Sequence, residues 1–256
     1  MLRGWPRGAI DSSSSGVAGV ITDYNRAHHP SARAATTIAV NRFSALLIIL
    51  CCTFVAAVAA QSPRSSAPID APVILVVGDS ISAGYGLAAG QVWVAQLQTR
   101  LAAERYPHRV VNASITGDTM AGGRARLPAL LKEHRPSIVI IELGGNDALR
   151  GQQLASTRAN LDAMVTASQA ANAKVVVVGM KLPPNYGPRY VREFDALFED
   201  VAKARKAAFV PYLFEGFGED LALFQPDRIH PTAEAQPRML ATIWPVLSPL
   251  LVRPAR

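Results

Sequence analysis

APVILVVGDSIS, Ala71 to Ser82, reads as a strand that runs into a reactive turn. Val73 to Val77 is an unbroken β-branched and leucine run, the composition of a strand buried on both faces of a parallel sheet. Gly78, Asp79 and Ser80 then end it with turn-forming residues. Similar runs recur at RVVNA (Arg109 to Ala113), SIVIIEL (Ser137 to Leu143), AKVVVVGM (Ala173 to Met180) and AAFVPY (Ala207 to Tyr212). Helical patterns lie between them, near 91–104, 123–134, 153–171 and 232–251. In a further one, Val191, Phe194, Leu197, Phe198 and Val201 form an apolar stripe at spacings of three and four. Pro231 before Thr232 suits a helix start, and Pro237 and Pro245 predict that the last helix is kinked or broken.

Five strands alternating with helices predict an α/β fold, a three-layer α/β/α sandwich around a five-stranded parallel sheet of flavodoxin-like type. In such sheets ligands bind beyond the C-terminal ends of the strands. The chemically interesting residues follow strands there: Ser80 after the first, Gly117 after the second, Asn146 after the third, and Asp227 with His230 beyond the fifth.

The domain occupies residues 72–256 of the 256. Residues 1–41 are rich in Ser, Ala, Arg and Gly without a sustained period, and read as disordered or as an over-long start. Residues 42–60 have the layout of a signal peptide: Arg42, an uncharged apolar stretch from Phe43 to Ala60, and small residues at Ala57, Ala59 and Ala60. Residues 61–71 are a Ser/Pro-rich linker. The expected location is therefore outside the cytoplasm, in the periplasm, with secretion or an anchor left uncleaved at 43–60 as alternatives. Both cysteines, Cys51 and Cys52, fall in that leader, so the domain has no disulfide and depends on its core. Residues 1–60 carry five Arg and two Asp, leaving +4 of the net +7 for the rest, and no basic run or aromatic ladder marks a nucleic-acid surface.

A serine hydroxyl becomes a useful nucleophile only beside a base. His28 and His29 precede the leader, and His108 and His134 come just before strands, on the opposite edge from Ser80. His230 alone is placed to serve, with Asp227 three residues earlier to fix its tautomer. An oxyanion needs donors already in place, and the N–H groups of Ser80 and Gly117 and the side-chain amide of Asn146 are the candidates, with Gly144 and Gly145 allowing a tight strand exit that would aim Asn146. Taken singly, each has a plainer reading: DRIHP as a surface turn, Asn146 as a cap, Gly117 as a left-handed turn residue. Asp79, Asp118 and Asp147 also follow strands, so a magnesium-dependent phosphohydrolase is an alternative; it leaves His230 and Asn146 without roles, and no metal ligand is assigned.

GDSISAGYGL, GDTMAGGRARLPALL, ELGGNDALRG, KLPPNYGPRY and DRIHPTAEAQP, in this order, resemble the SGNH (GDSL-type) hydrolases, and within them the periplasmic thioesterase I/arylesterase/lysophospholipase branch. The resemblance spans about residues 72 to 250 and implies a Ser80–Asp227–His230 triad, an oxyanion hole of Ser80, Gly117 and Asn146, and an acyl-enzyme mechanism without cofactor. It implies that Leu149, Leu182, Pro183 and Tyr186 bound the acyl site and that the loop from Leu149 to Gly151 moves on substrate binding. Acyl esters, acyl thioesters and lysophospholipids are the implied substrates, with a transient membrane-surface contact and a monomeric state as further expectations. A carbohydrate O-deacetylase on the same scaffold and a non-catalytic binding module remain open.

Overall fold

The computed structural model describes residues 71–252. The expected N-terminal extension, the signal peptide and nearly all of the 61–71 linker lie outside the described residues. The five expected strands form one sheet: β1 (Val73–Gly78), β2 (Arg109–Asn112), β3 (Ile138–Glu142), β4 (Lys174–Val178) and β5 (Ala208–Val210). All pairings are parallel and the order is β2-β1-β3-β4-β5. That is the flavodoxin-like order, whose reversal of direction at β1/β3 opens a crevice at the strand C-termini.

The side chains of β1 alternate between the faces. Ile74 and Val76 pack into one core with Trp93, Leu97, Met239 and Ile243, from α2 (Trp93–Ala103) and α7 (Gln236–Leu247). Leu75 and Val77 pack into the other with Leu127, Leu161, Met164, Phe194 and Phe198, from α3 (Met120–His134), α5 (Leu154–Ala170) and α6 (Pro188–Arg205). Two cores on either side of one sheet give the expected three layers, and the stripe from Val191 to Val201 lies on α6. Among the described residues, no helix is long and apolar enough to cross a membrane.

The differences from expectation sit at helix ends. α3 starts at Met120, not at 123, because Thr119 caps it by accepting from the Gly122 N–H and Asp147 accepts from the Met120 N–H at 2.8 Å. Gly122 and Gly123 are weak helix formers and hide that start in the sequence. The last helical stretch is broken: a 3₁₀ turn at Ala233–Ala235 precedes α7, and another at Ser248–Leu250 ends it. Pro237 sits in the first turn of α7, where it costs no hydrogen bond, and Pro245 near its end. Two short helices have too few residues to show a period in the sequence: α1 (Ser80–Ala83) and α4 (Gly145–Leu149).

Candidate active site

Ser80 is the first residue of α1 and leaves β1 after Gly78 and Asp79. Asp79 caps that helix by accepting from the Ile81 N–H at 3.0 Å, so the turn is fixed locally. The Ser80 Oγ lies 2.8 Å from His230 Nε2, and His230 Nδ1 lies 2.7 Å from Asp227 Oδ2. With the imidazole proton on Nδ1, donated to Asp227, Nε2 is free to accept the serine hydroxyl proton. Asp227 Oδ1 also accepts from the Ile229 and His230 N–H groups at 2.9 and 3.0 Å. These bonds, led by the one from the His230 backbone, hold the Asp227 carboxyl down at about 2. It is a permanent anion at any working pH.

The expected oxyanion donors come from three strand exits. The Ser80 N–H and the Gly117 N–H have no hydrogen-bond acceptor among the described residues. Gly117 holds a φ of +78°, in the left-handed region that a side chain disfavours. Arg150 Nη2 donates to its carbonyl at 2.8 Å and ties that loop to the end of α4. The Asn146 amide, in the first turn of α4, donates one hydrogen to Asp79 Oδ2 at 3.1 Å and keeps a second to give. Gly144 precedes it at a φ of +124°, where an added Cβ would stand 2.9 Å from the Phe198 ring. The expected tight strand exit is thus observed.

Beneath the turn lies a buried polar chain that was not evident in the sequence. The Ser82 hydroxyl donates to Glu142 Oε2 at 2.6 Å and accepts from the Trp93 indole at 3.3 Å, and Glu142, at the end of β3, is fully buried. Burial pushes the Glu142 carboxyl well up, and it pushes Asp79 up to about 6 against the opposing pull of its Ile81 and Asn146 hydrogen bonds. The other strand-exit carboxylates are engaged elsewhere: Asp118 with Arg126 at 2.8 Å, and Asp147 with the Met120 N–H and the Thr157 hydroxyl. Among the described residues no three His, Cys, Asp or Glu side chains are grouped to hold a metal ion. Asp118 also accepts from the Thr119 N–H at 2.9 Å, so Asp118 and Asp147 both serve the start of α3, while Asp79 caps α1 and holds Asn146.

Leu149 ends α4 and is 56% exposed. Leu182, Pro183 and Tyr186 lie together on the connection from β4 to α6. Leu182 is half-buried against the core of α3, α5 and α6, and the Tyr186 ring stacks on Tyr190. Met180, on the same connection, stands beside α4: its sulfur is 3.5 Å from where a Cβ on Gly145 would be. Tyr85 was also missed, although it follows Ser80 by only five residues; its ring packs on the His230 imidazole, centroids 4.5 Å apart. The His230 contact crosses 145 positions of sequence, so no local pattern could reveal it.

A hydroxyl, an imidazole and a carboxylate in hydrogen-bonded series, beside free N–H donors at the C-terminal rim of a parallel sheet, form the layout of a serine hydrolase. The chain belongs to the GDSL-like lipase/acylhydrolase family, whose model matches residues 76–237. It is 55% identical to the esterase TesA of Pseudomonas aeruginosa over 181 residues, which cover 71% of this chain and 90% of that one. It is 41% identical to the thioesterase 1/protease 1/lysophospholipase L1 of Escherichia coli, over 71% of this chain and 86% of that one. The crystal structure of TesA superposes with a TM-score of 0.68, covering 70% of this chain and 99% of the other.

Proposed function

We propose that the chain is an exported serine esterase that hydrolyses carboxylic esters and thioesters, lysophospholipids among them, through an acyl-enzyme on Ser80. The observation that carries this reading is the continuous relay from Ser80 through His230 to Asp227, at 2.8 and 2.7 Å. The Ser80 oxygen bonds to the acyl carbon while its proton passes to His230 Nε2. The carbonyl oxygen becomes an anion held by the N–H groups of Ser80 and Gly117 and the free amide hydrogen of Asn146. Collapse breaks the bond to the alcohol or thiol, which leaves with the proton from His230. Water then loses a proton to His230 as it attacks the acyl carbon, and collapse breaks the bond to the Ser80 oxygen, which takes that proton back from His230 as the acid leaves. The names of the relatives, esterase, thioesterase and lysophospholipase, support the same bond classes.

The surroundings favour acyl groups over a carbohydrate acetate. Six large apolar side chains are strongly exposed among the described residues, and four of them, Tyr85, Ile115, Leu149 and Ile229, stand within five positions of Ser80, Gly117, Asn146 and His230 respectively. An apolar rim of this kind suits an acyl chain and a passing contact with a lipid surface. Together with Leu182, Pro183 and Tyr186 it is the proposed acyl wall. Export follows from the signal layout of residues 42–60. Mass spectrometry of the protein recovered from the periplasm tests it, a mature start near Gln61 being expected.

The experiment is hydrolysis of p-nitrophenyl esters from acetyl to palmitoyl, of an acyl-CoA and of a lysophospholipid, by wild type and Ser80→Ala, with and without chelator. Activity that ignores chelator, disappears with Ser80 and is greater on longer acyl groups than on acetate is expected. Activity retained by Ser80→Ala would overturn the mechanism, and a strict preference for acetate would favour the deacetylase.

A further inference from the structure

The nucleophile and the base reach the site by unrelated routes. β1 delivers Ser80 directly. β5, by contrast, stands three strand spacings from β1, about 14 Å at the usual spacing, and the connection after it must return across the rim before it can present His230. Some contact besides the serine–imidazole bond must therefore fix how far that connection stands from the turn after β1.

The geometry points to Gln225 as that contact: we propose that it is a positioning residue that closes a hydrogen-bonded ring through both halves of the triad and thereby sets the Ser80–His230 alignment. The Gln225 Nε2 donates to the Tyr85 carbonyl at 2.7 Å and to the Pro231 carbonyl at 3.2 Å. The Gln225 backbone N–H donates to the His230 carbonyl at 2.8 Å, and the Tyr85 N–H donates to the Ser80 carbonyl at 3.1 Å. The ring therefore runs from Ser80 to Tyr85, to Gln225, to His230, and back through the imidazole to the Ser80 hydroxyl. Gln225 joins at once the segment that carries the nucleophile and both ends of the turn that carries Asp227 and His230. The Tyr85 ring lies on the imidazole, so the residue whose carbonyl Gln225 holds also forms one wall against the base.

Both side-chain bonds require a donor. A glutamate at this position keeps the shape but, ionised, turns a negative oxygen toward two carbonyl oxygens. Protonated, it regains one donor. This distinguishes a positioning role from mere packing, because the defect of the isosteric variant depends on pH.

The inference rests on the serine-hydrolase reading, so the test carries Ser80→Ala beside it. Wild type, Gln225→Ala and Gln225→Glu are titrated with a p-nitrophenyl phosphonate to count reactive serines. The kcat per titrated serine and KM are then measured on p-nitrophenyl butyrate from pH 5 to 9. Expected is a fall in kcat of about 10- to 100-fold in both variants, the scale of a small misplacement of reacting groups, with KM within twofold of wild type. For Gln225→Glu the ratio of its kcat to that of wild type should rise as the pH is lowered. Taking the ratio at each pH cancels whatever pH dependence the two proteins share. A kcat per titrated serine within threefold of wild type in Gln225→Glu overturns the proposal even if Gln225→Ala does not fold, as does a Gln225→Glu deficit that stays constant with pH. Activity surviving in Ser80→Ala would instead defeat the mechanism on which the proposal rests.

Discussion

Ser80 leaves from the end of β1, a strand paired on both sides and buried along its whole length, whereas His230 arrives on a connection that departs from the edge of the sheet. The serine is 8% exposed and stands over Asp79, Ser82 and Glu142, all buried. The Asp227 side chain is 38% exposed, and its neighbours Arg228 and Ile229 face solvent. On the serine side, order comes from burial, and polar groups are held in place at an electrostatic cost. On the histidine side it comes from hydrogen bonds within one short turn: Asp227 accepting from Ile229 and His230, and the Phe224–Pro231 bridge. The nucleophile is therefore preorganised by the fold, whereas the base is ordered within its own loop, which Gln225 ties to the serine side.

Removing the nucleophile or the base should have the largest effect. Ser80→Ala or His230→Ala is expected to lower kcat by about five to six orders of magnitude, and Asp227→Asn by about four, since an asparagine favours the wrong imidazole tautomer. The Asp227 carboxyl at about 2 stays ionised throughout the working range, so it adds no step of its own to the kcat profile between pH 5 and 9. Steady-state kinetics on a p-nitrophenyl ester reads all of these. Should Asp227→Asn leave kcat intact, the loop would not orient the base, and the contrast between the two sides would lose half its basis.

Asn146→Ala comes next, with an expected loss of about two to three orders in kcat, the scale of one oxyanion donor, and little change in KM. This variant tests the serine side alone. An unchanged kcat would remove Asn146 from the oxyanion hole while leaving the triad standing.

How much of this was legible in the sequence follows the same division. The β-branched runs at Val73 and Ser137 announce buried strands because both faces are covered, and the polar residues that end them mark the rim. Ser80, Gly117, Asn146, Asp227 and His230 were therefore readable as residues of one edge. The apolar stripe on α6 was legible for the same reason, having a helical period and a core to face. The role of Asp79 was not. A cap and a support for Asn146 look alike in one dimension, and only the 3.1 Å bond across 67 positions tells them apart. Glu142 closes an apolar run and shows nothing in sequence of its bond to Ser82. Tyr85 and Gln225 act through backbone carbonyls and a ring face, which leave no composition signal.

The smallest effect expected, and the sharpest test of the buried side, concerns Asp79. Its neutral amide counterpart has one acceptor oxygen and cannot serve both the Ile81 N–H and the Asn146 amide, so Asp79→Asn should lower kcat about tenfold by loosening Asn146. Stability should move the other way. A carboxyl at about 6 in the folded protein, against an ordinary value of 3.8, binds its proton more tightly when folded. Its favourable contribution is then fully present below about pH 3.8 and is lost as the pH rises through 6, a difference of roughly 3 kcal/mol. The raised Glu142 carboxyl acts with the same sign, whereas the depressed Asp227 carboxyl acts with the opposite one, losing its contribution only as the pH falls toward 2. Urea unfolding at pH 4, 6 and 8 should therefore show a loss of stability on going alkaline that Asp79→Asn reduces. If the variant's curve ran parallel to wild type, Asp79 would carry no electrostatic cost in the folded state, and the serine side would be no more strained than the exposed turn opposite.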